Sequence, residues 1–310
     1  MRYLVTGGAG FIGSNTVDEL VRRGASVTVL DDLSTGKERN LAAVRDRIEF
    51  IHGSITDREI LGRAVQGADF VLHLAARTSV PRSVAEPLET NRINVDGTLN
   101  VLVAARDAKV RRVVFAGSSS VYGDTPTLPK SEDMLPSPIS PYGASKVFGE
   151  VYGNVFHRVY GLEFVSLRYF NVFGPRQDPG SPYSGVLSLF CTAMRDGGTP
   201  TVYGDGEHSR DFTFVADVVQ ANLAAFEAPG IAGMVFNVAC GGRVTLNETL
   251  RLLEQFSGRA ANAKYTAPRA GDIRDSQADI TRARAKLGFQ PAVGFKEGLR
   301  QTWEWYRSEH

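Results

Sequence analysis

Cysteine is almost missing from this sequence: Cys191 and Cys240 are the only two in 310 residues, and no CxxC spacing occurs. That excludes a disulfide scaffold or a zinc ribbon and fits two reduced thiols. An excess of one charge is also missing, since 35 Lys and Arg balance 34 Asp and Glu and no run of five like charges appears. A nucleic-acid or membrane surface therefore has no electrostatic signature here. No apolar stretch approaches the roughly 20 residues of a membrane span. Met1 and Arg2 lead straight into Tyr3-Leu4-Val5, which we read as leaving no room for a signal peptide, so a cytoplasmic protein is expected. Repeats and low-complexity tracts are lacking, and no metal is expected.

What is present is a chain with 43% hydrophobic residues, long enough to bury a large core. Short β-branched runs at residues 3–6, 27–31, 48–52, 70–74, 113–116 and 164–168 alternate with amphipathic segments at 11–23, 56–65, 90–108 and 141–160. This pattern predicts an α/β fold with a doubly wound parallel sheet of the Rossmann kind, whose ligands sit at the carboxyl ends of the strands. Gly, Pro, Ser and Asp then crowd residues 174–185 and 197–206, and helices are expected at 246–256 and 295–306. We expect a nucleotide-binding domain over 1–170, with a return segment near 211–240, and a smaller α/β substrate-binding domain over most of 171–310.

Thr6-Gly7-Gly8-Ala9-Gly10-Phe11-Ile12-Gly13 joins the first predicted strand to the first helix. Glycines let such a turn approach a pyrophosphate, and the helix N-terminus offers free N–H groups. Asp31 stands 18 residues beyond Gly13 at the end of the second strand, where a carboxylate accepts from both ribose hydroxyls and repels a 2′-phosphate. NAD is therefore favoured over NADP. Asp32 could play the same part, and Lys37 and Arg39 could instead accept a phosphate.

Ser140-Pro141-Tyr142-Gly143-Ala144-Ser145-Lys146 reads as a helix start, with Ser140 as N-cap and Pro141 in the first turn. The i,i+4 spacing puts Tyr142 and Lys146 on one face. An ammonium beside a phenol favours the phenolate, and bringing a Tyr from about 10 to about 7 takes roughly 4 kcal/mol of differential stabilisation. The strand 113–116 runs into Gly117-Ser118-Ser119-Ser120, a hydroxyl cluster at the carboxyl end of the sheet.

Together these residues resemble the extended short-chain dehydrogenase/reductase family, and within it the UDP-galactose and UDP-N-acetylglucosamine 4-epimerases. The similarity also rests on His73-Leu74-Ala75-Ala76, Asn94-Val95-Asp96-Gly97-Thr98, Leu167-Arg168-Tyr169-Phe170-Asn171, Ser209-Arg210-Asp211-Phe212 and Arg269-Ala270-Gly271-Asp272. It implies bound NAD held by Gly7, Gly10, Phe11, Ile12, Gly13, Asp31, Asp32, Ser34, Ser54 and Ile55, with Leu74, Ala75, Ala76, Asn94 and Tyr169 on the nicotinamide side. Ser54 stands where many relatives carry Asp against the adenine. The resemblance further implies that Ser118 relays a proton between sugar and Tyr142, and that Lys146 also bonds the nicotinamide ribose. Asn171, Arg210 and Arg269 would hold a diphosphate, and Asp272 the uridine ribose. By the same resemblance, hydride leaves C4 of the sugar, and a 4-keto intermediate swings about its diphosphate and takes the hydride back on the other face.

Dehydratase relatives carry Asp-Glu directly after the catalytic hydroxyl; here Ser119 and Ser120 stand there, so dehydration is not expected. Asp178 occupies a position where glucuronate epimerases tend to carry Arg, and would repel a uronate. Ser276 matches a site that holds a bulky Tyr in epimerases restricted to non-acetylated sugars. Thr78, Ser119, Asn171, Gln177, Gly185 and Ser276 would outline a roomier sugar pocket, making UDP-GlcNAc/UDP-GalNAc the first choice and leaving UDP-Glc/UDP-Gal open. The alternatives are a UDP-glucuronate 4-epimerase, a nucleotide-sugar 4-ketoreductase or a non-catalytic NAD-binding regulator. A homodimer is expected from apolar Ile93, Thr98, Val101, Leu102 and Ala105 on the 90–108 helix, packed beside the 141–160 helix.

Overall fold

The computed structural model describes residues 1–180, 185–268 and 274–308. Strands β1 (Arg2–Thr6), β2 (Ser26–Asp31), β3 (Glu49–His52), β4 (Phe70–His73), β5 (Arg112–Ser118) and β6 (Glu163–Tyr169) form one parallel sheet in the order β3-β2-β1-β4-β5-β6, completed by the strand Val235–Val238 beside β6. The central strands read as continuous apolar runs because both faces are covered. Strand order reverses between β1 and β4, and it is there that a doubly wound sheet opens a crevice for a ligand. The strands expected from the sequence are all present, with ends within two residues of expectation.

Helices α1 (Phe11–Arg22) and α2 (Arg58–Ala64) follow β1 and β3. Next come α3 (Val80–Ala85), α4 (Pro87–Asn91), α5 (Gly97–Asp107) and α6 (Pro141–Tyr160). The C-terminal half adds α7 (Val186–Arg195), α8 (Val215–Glu227), α9 (Leu246–Ser257), α10 (Thr281–Leu287) and α11 (Phe295–Ser308). One apolar core lies between the sheet and α1 with α8, and a second between the sheet and α2, α5 and α6. A third packs Phe190, Leu250, Leu253 and Trp303 of α7, α9 and α11 against Phe173, Phe212 and Phe214. Among the described residues no helix is long and apolar enough to cross a membrane.

Helix α6 starts where its sequence says: the Ser140 hydroxyl accepts from Gly143 N–H at 3.1 Å, and Gly161 closes the helix at φ +72°. It lies flush on the sheet because Gly149 and Gly153 offer no side chain; a Cβ there would come 2.4 Å from the Phe115 ring and 2.1 Å from the Phe164 ring.

The single helix expected over 90–108 is corrected. The chain runs through α4, then a π turn at Arg92–Asp96, then α5. Thr98, Val101, Leu102 and Ala105, read as a docking face, are instead buried beneath α5. The outward apolar stripe is on α6, where Phe148, Val151, Val155 and Val159 are exposed at i,i+3/i+4 spacing.

Candidate active site

The glycine loop is fitted to its neighbours at backbone distance. Gly7 has φ +72°, and a Cβ there would lie 2.7 Å from the Ala75 nitrogen, so the β1 loop touches the β4 loop across the switch point. At Gly13 a Cβ would sit 2.2 Å from the Gly7 carbonyl oxygen, which locks α1 against the strand it leaves. Gly10 is the N-cap of α1, no side chain caps the helix and its first turn carries no acid. The first N–H groups, at Phe11, Ile12 and Gly13, are therefore open to an anion.

Asp31 is buried beside this loop, accepting from Ala9 N–H at 2.9 Å and Leu33 N–H at 2.9 Å. Burial pushes its carboxyl up, against those two hydrogen bonds. Asp32 is exposed and accepts from Ser34 N–H, so of the two carboxylates Asp31 is the one facing inward. Lys37, which could have received a 2′-phosphate, is tied to Asp178 at 2.7 Å. Asp178 is thus partly neutralised, which weakens the repulsion of a uronate read from the sequence. Ser54 bonds the Thr56 hydroxyl at 2.9 Å, and the Ile55 side chain belongs to the core.

On the other side of the switch point a chain of side-chain bonds sets the loop after β4. Asn94, in the π turn, accepts from Arg77 N–H and donates to Arg77 C=O and to the Ser145 hydroxyl of α6. Leu74, Ala75 and Ala76 are half-buried in this loop, while Thr78 is exposed. Behind them His73 bridges the hydroxyls of Thr6 and Thr98 at 2.8 Å and 2.9 Å, and burial lowers its pKa to about 3. His73 and Ser145 both lie inside motifs quoted from the sequence, but the motifs give neither a role, because burial and these partners are set by the fold. Tyr169 is buried with its hydroxyl bonded to Asn222 at 2.6 Å.

Ser118 ends β5 and Tyr142 opens α6; burial pushes the phenol's pKa up, and the nearby Ser118 hydroxyl partly offsets that push. Ser118 Oγ also accepts from Ser120 N–H at 3.2 Å and from the Ser120 hydroxyl at 2.9 Å. Ser119 is half-buried beside them. Lys146 departs from expectation: its Nζ donates to Ala116 C=O at 2.8 Å and lies 5.8 Å from the Tyr142 ring centre. Helical i,i+4 spacing brings the two onto one face, but the nearer carbonyl takes the ammonium. Burial draws the Lys146 pKa down to about 8, with Glu150 opposing.

Asn171, Gln177, Gly185 and Arg210, scattered over 40 positions of sequence, line one cavity of about 260 Å³ with Tyr203 and Phe212. Asn171, held at φ +33°, donates to Asp211 C=O at 3.1 Å and to the Ser276 hydroxyl at 3.3 Å. Arg210 donates to Arg274 C=O at 2.8 Å and to Ser209 C=O at 3.0 Å. Asp211, which sequence reasoning passed over, gathers three N–H groups, from Cys240, Gly241 and Ala278, and so fixes the segment that carries Ser276. Arg269 and Asp272 lie outside the described residues.

Residues 3–239 match the model of the NAD dependent epimerase/dehydratase family. A UDP-glucose 4-epimerase from Mycolicibacterium smegmatis is 42% identical over 313 residues, covering 100% of this chain and 99% of the relative. The crystal structure of a Thermotoga maritima UDP-glucose 4-epimerase with UDP-glucose superposes with TM-score 0.95 at 41% identity, over 99% of both chains. A UDP-N-acetylglucosamine 4-epimerase from Methanobrevibacter ruminantium, in complex with UDP-N-acetylmuramic acid, gives 0.96 at 41% identity, over 100% of this chain and 99% of that one. The Gly7 to Gly13 cradle and the buried Asp31 fit a dinucleotide, and the chain belongs to the NAD dependent epimerase/dehydratase family, with NAD as its cofactor.

Proposed function

We propose that this protein is a UDP-sugar 4-epimerase, with UDP-GlcNAc and UDP-GalNAc as its first substrates. The arrangement that carries the reading is Ser118 at the carboxyl end of β5 near the Tyr142 phenol at the start of α6, with Lys146 one helical turn behind that phenol. When bound, NAD supplies a hydride acceptor that gives the hydride back. Tyr142 takes the proton of the sugar's C4 hydroxyl as hydride leaves that carbon, and returns it at the end. Ser118 relays that proton over the distance the phenol does not reach, giving its own proton to Tyr142 as it takes the sugar's, with the Ser120 hydroxyl free to rotate away from its oxygen. Lys146 carries the positive charge that makes a phenolate affordable.

The cavity lined by Asn171 and Arg210 suits the nucleotide diphosphate end, because guanidinium and amide donors match phosphate oxygens. A firm grip there leaves the hexose able to turn over between two hydride transfers. Arg269 and Asp272 are proposed to complete the grip. Ser119 and Ser120 offer no carboxyl acid or base for elimination, which supports epimerisation over dehydration. Ser276, small and bonded to Asn171, leaves room for a 2-acetamido group, and this is the basis for placing the acetylated sugars first.

We also propose that the protein is a homodimer. Phe148, Val151, Val155 and Val159 form an exposed stripe on α6, and Val84 and Leu88 are exposed on α3 and α4, which pack against α6; a second copy would cover the apolar stripe symmetrically.

The purified protein, with no cofactor added, should interconvert UDP-GalNAc and UDP-GlcNAc, release NAD on denaturation, and lose about 100- to 10,000-fold in turnover as Tyr142→Phe while still carrying NAD. Turnover only with added NAD(P)H would make it a reductase, and near-wild-type turnover of Tyr142→Phe would remove the acid–base assignment.

A further inference from the structure

Tyr142 is the second residue of α6, in the turn whose N–H groups have no partner inside the helix. Pro141 carries no N–H, and the N–H of Gly143 returns to the Ser140 cap. The N–H of Tyr142 instead leaves the helix and donates to the Ser83 hydroxyl of α3 at 3.1 Å. Ser83 is 1% exposed, and its own hydroxyl donates to Val80 C=O at 2.6 Å, which turns its oxygen to accept from α6.

The other backbone group of Tyr142 is held as well. Its carbonyl accepts from the Ser145 hydroxyl at 2.7 Å, and the Ser145 oxygen accepts from the Asn94 amide at 3.0 Å. Asn94, 2% exposed in the π turn, spends its remaining amide hydrogen on Arg77 C=O and its oxygen on Arg77 N–H. Both lines of bonds therefore end on one stretch of chain: Arg77 lies in the loop after β4, and α3 follows that loop directly. The backbone of Tyr142 is registered against the loop on which our account places the nicotinamide.

We propose that Ser83 and Ser145 are positioning residues for Tyr142, holding its N–H and its C=O so that the phenol meets the C4 hydroxyl while that carbon faces the cofactor. This rests on Tyr142 being the base of the proposed reaction. A first helical turn is free to fray unless something outside the helix holds it. Displacement of a reacting group by about 1 Å can lower a rate about 100-fold. Neither serine touches the substrate in this account, so the loss on removing one falls on turnover and leaves binding alone.

The test is a double-mutant cycle on the NAD-loaded protein, read as turnover of UDP-GalNAc, or of UDP-Gal if that is the sugar converted. Ser83→Ala and Ser145→Ala should each lower kcat by about 10- to 100-fold, with KM and bound NAD within about twofold of wild type. Placed in the Tyr142→Phe background, each should have almost no further effect on the residual turnover, because the group it positions is already gone. Serines that only support the fold would lower turnover by the same factor with and without the phenol, or would lower the melting temperature alone, and either result would overturn the proposal. Poor folding of one variant leaves the cycle through the other serine to decide. An inactive Tyr142→Phe beside fully active serine variants would remove this proposal and leave the acid–base reading standing, whereas a fully active Tyr142→Phe would remove both.

Discussion

Asn171 donates to the Ser276 hydroxyl across 105 positions of sequence, joining a residue of the ligand cavity to the small residue that faces the sugar in our account. Ser276→Tyr should therefore lower kcat/KM for UDP-GalNAc more than for UDP-Gal, by about 5- to 150-fold in their ratio, since only the acetamido group meets the added ring. Ser276→Ala, which loses the hydrogen bond but keeps the volume, should leave the ratio nearly unchanged. Equal effects of Ser276→Tyr on both sugars would return UDP-galactose to first place.

The glycine loop separates folding from cofactor binding. Gly13→Ala puts a Cβ 2.2 Å from one backbone oxygen and 2.7 Å from a backbone carbon, and neither can move without shifting α1. A loss of at least about 1–3 kcal/mol of stability is expected. At Gly10 the nearest atom to an added Cβ is 3.2 Å away, so Gly10→Ala should fold normally and lose affinity for NAD because its methyl stands where a pyrophosphate approaches. Thermal melts with and without NAD check both; a Gly10→Ala protein that keeps its NAD would remove the loop from the binding account.

His73 makes stability depend on acid. Its pKa is lowered from an ordinary 6.5 to about 3 by burial, so the folded state binds the proton less well than the unfolded chain does. The associated stability is fully present above pH 6.5 and is lost progressively as pH falls toward 3, at about 1.4 kcal/mol per pH unit. In urea denaturation at stepped pH, His73→Gln should flatten this slope by about one proton between pH 4 and 6. An unchanged slope would mean that His73 is already protonated in the folded protein.

Most of the sheet was legible in the sequence because parallel strands covered on both sides read as unbroken Val, Leu and Phe runs, as in β1, β4 and β5. Helix α6 was legible to the residue, since Ser140, Pro141 and Gly161 mark both of its ends. The π turn at Arg92–Asp96 was not, because nothing in Ile93-Asn94-Val95 distinguishes it from an ordinary helix; the carbonyl of Asn94 meeting the Thr98 hydroxyl and the Asn94 side chain meeting Arg77 are tertiary choices. Lys146 shows the same limit within the site. Spacing puts it on the face of Tyr142, but only the fold brings Ala116 C=O within 2.8 Å of its ammonium.

The proposed dimer predicts a change of mass without a change of fold. Val151→Glu with Val155→Glu places two charges in the exposed stripe of α6, away from the buried face that carries Tyr142 and Lys146. Light scattering should give a dimer for the wild-type protein and a monomer for the double variant at micromolar concentration, with similar circular dichroism. A wild-type monomer would remove the interface.

The central claim is that one bound NAD takes the C4 hydride and gives it back to the same sugar. It is tested most directly with UDP-GalNAc deuterated at C4, incubated with the purified protein and an excess of unlabelled free NAD, and followed by mass spectrometry and NMR of the product. The account predicts UDP-GlcNAc that retains the deuterium at C4. Product that has lost the label to the free cofactor, or the accumulation of a released 4-keto sugar, would contradict it.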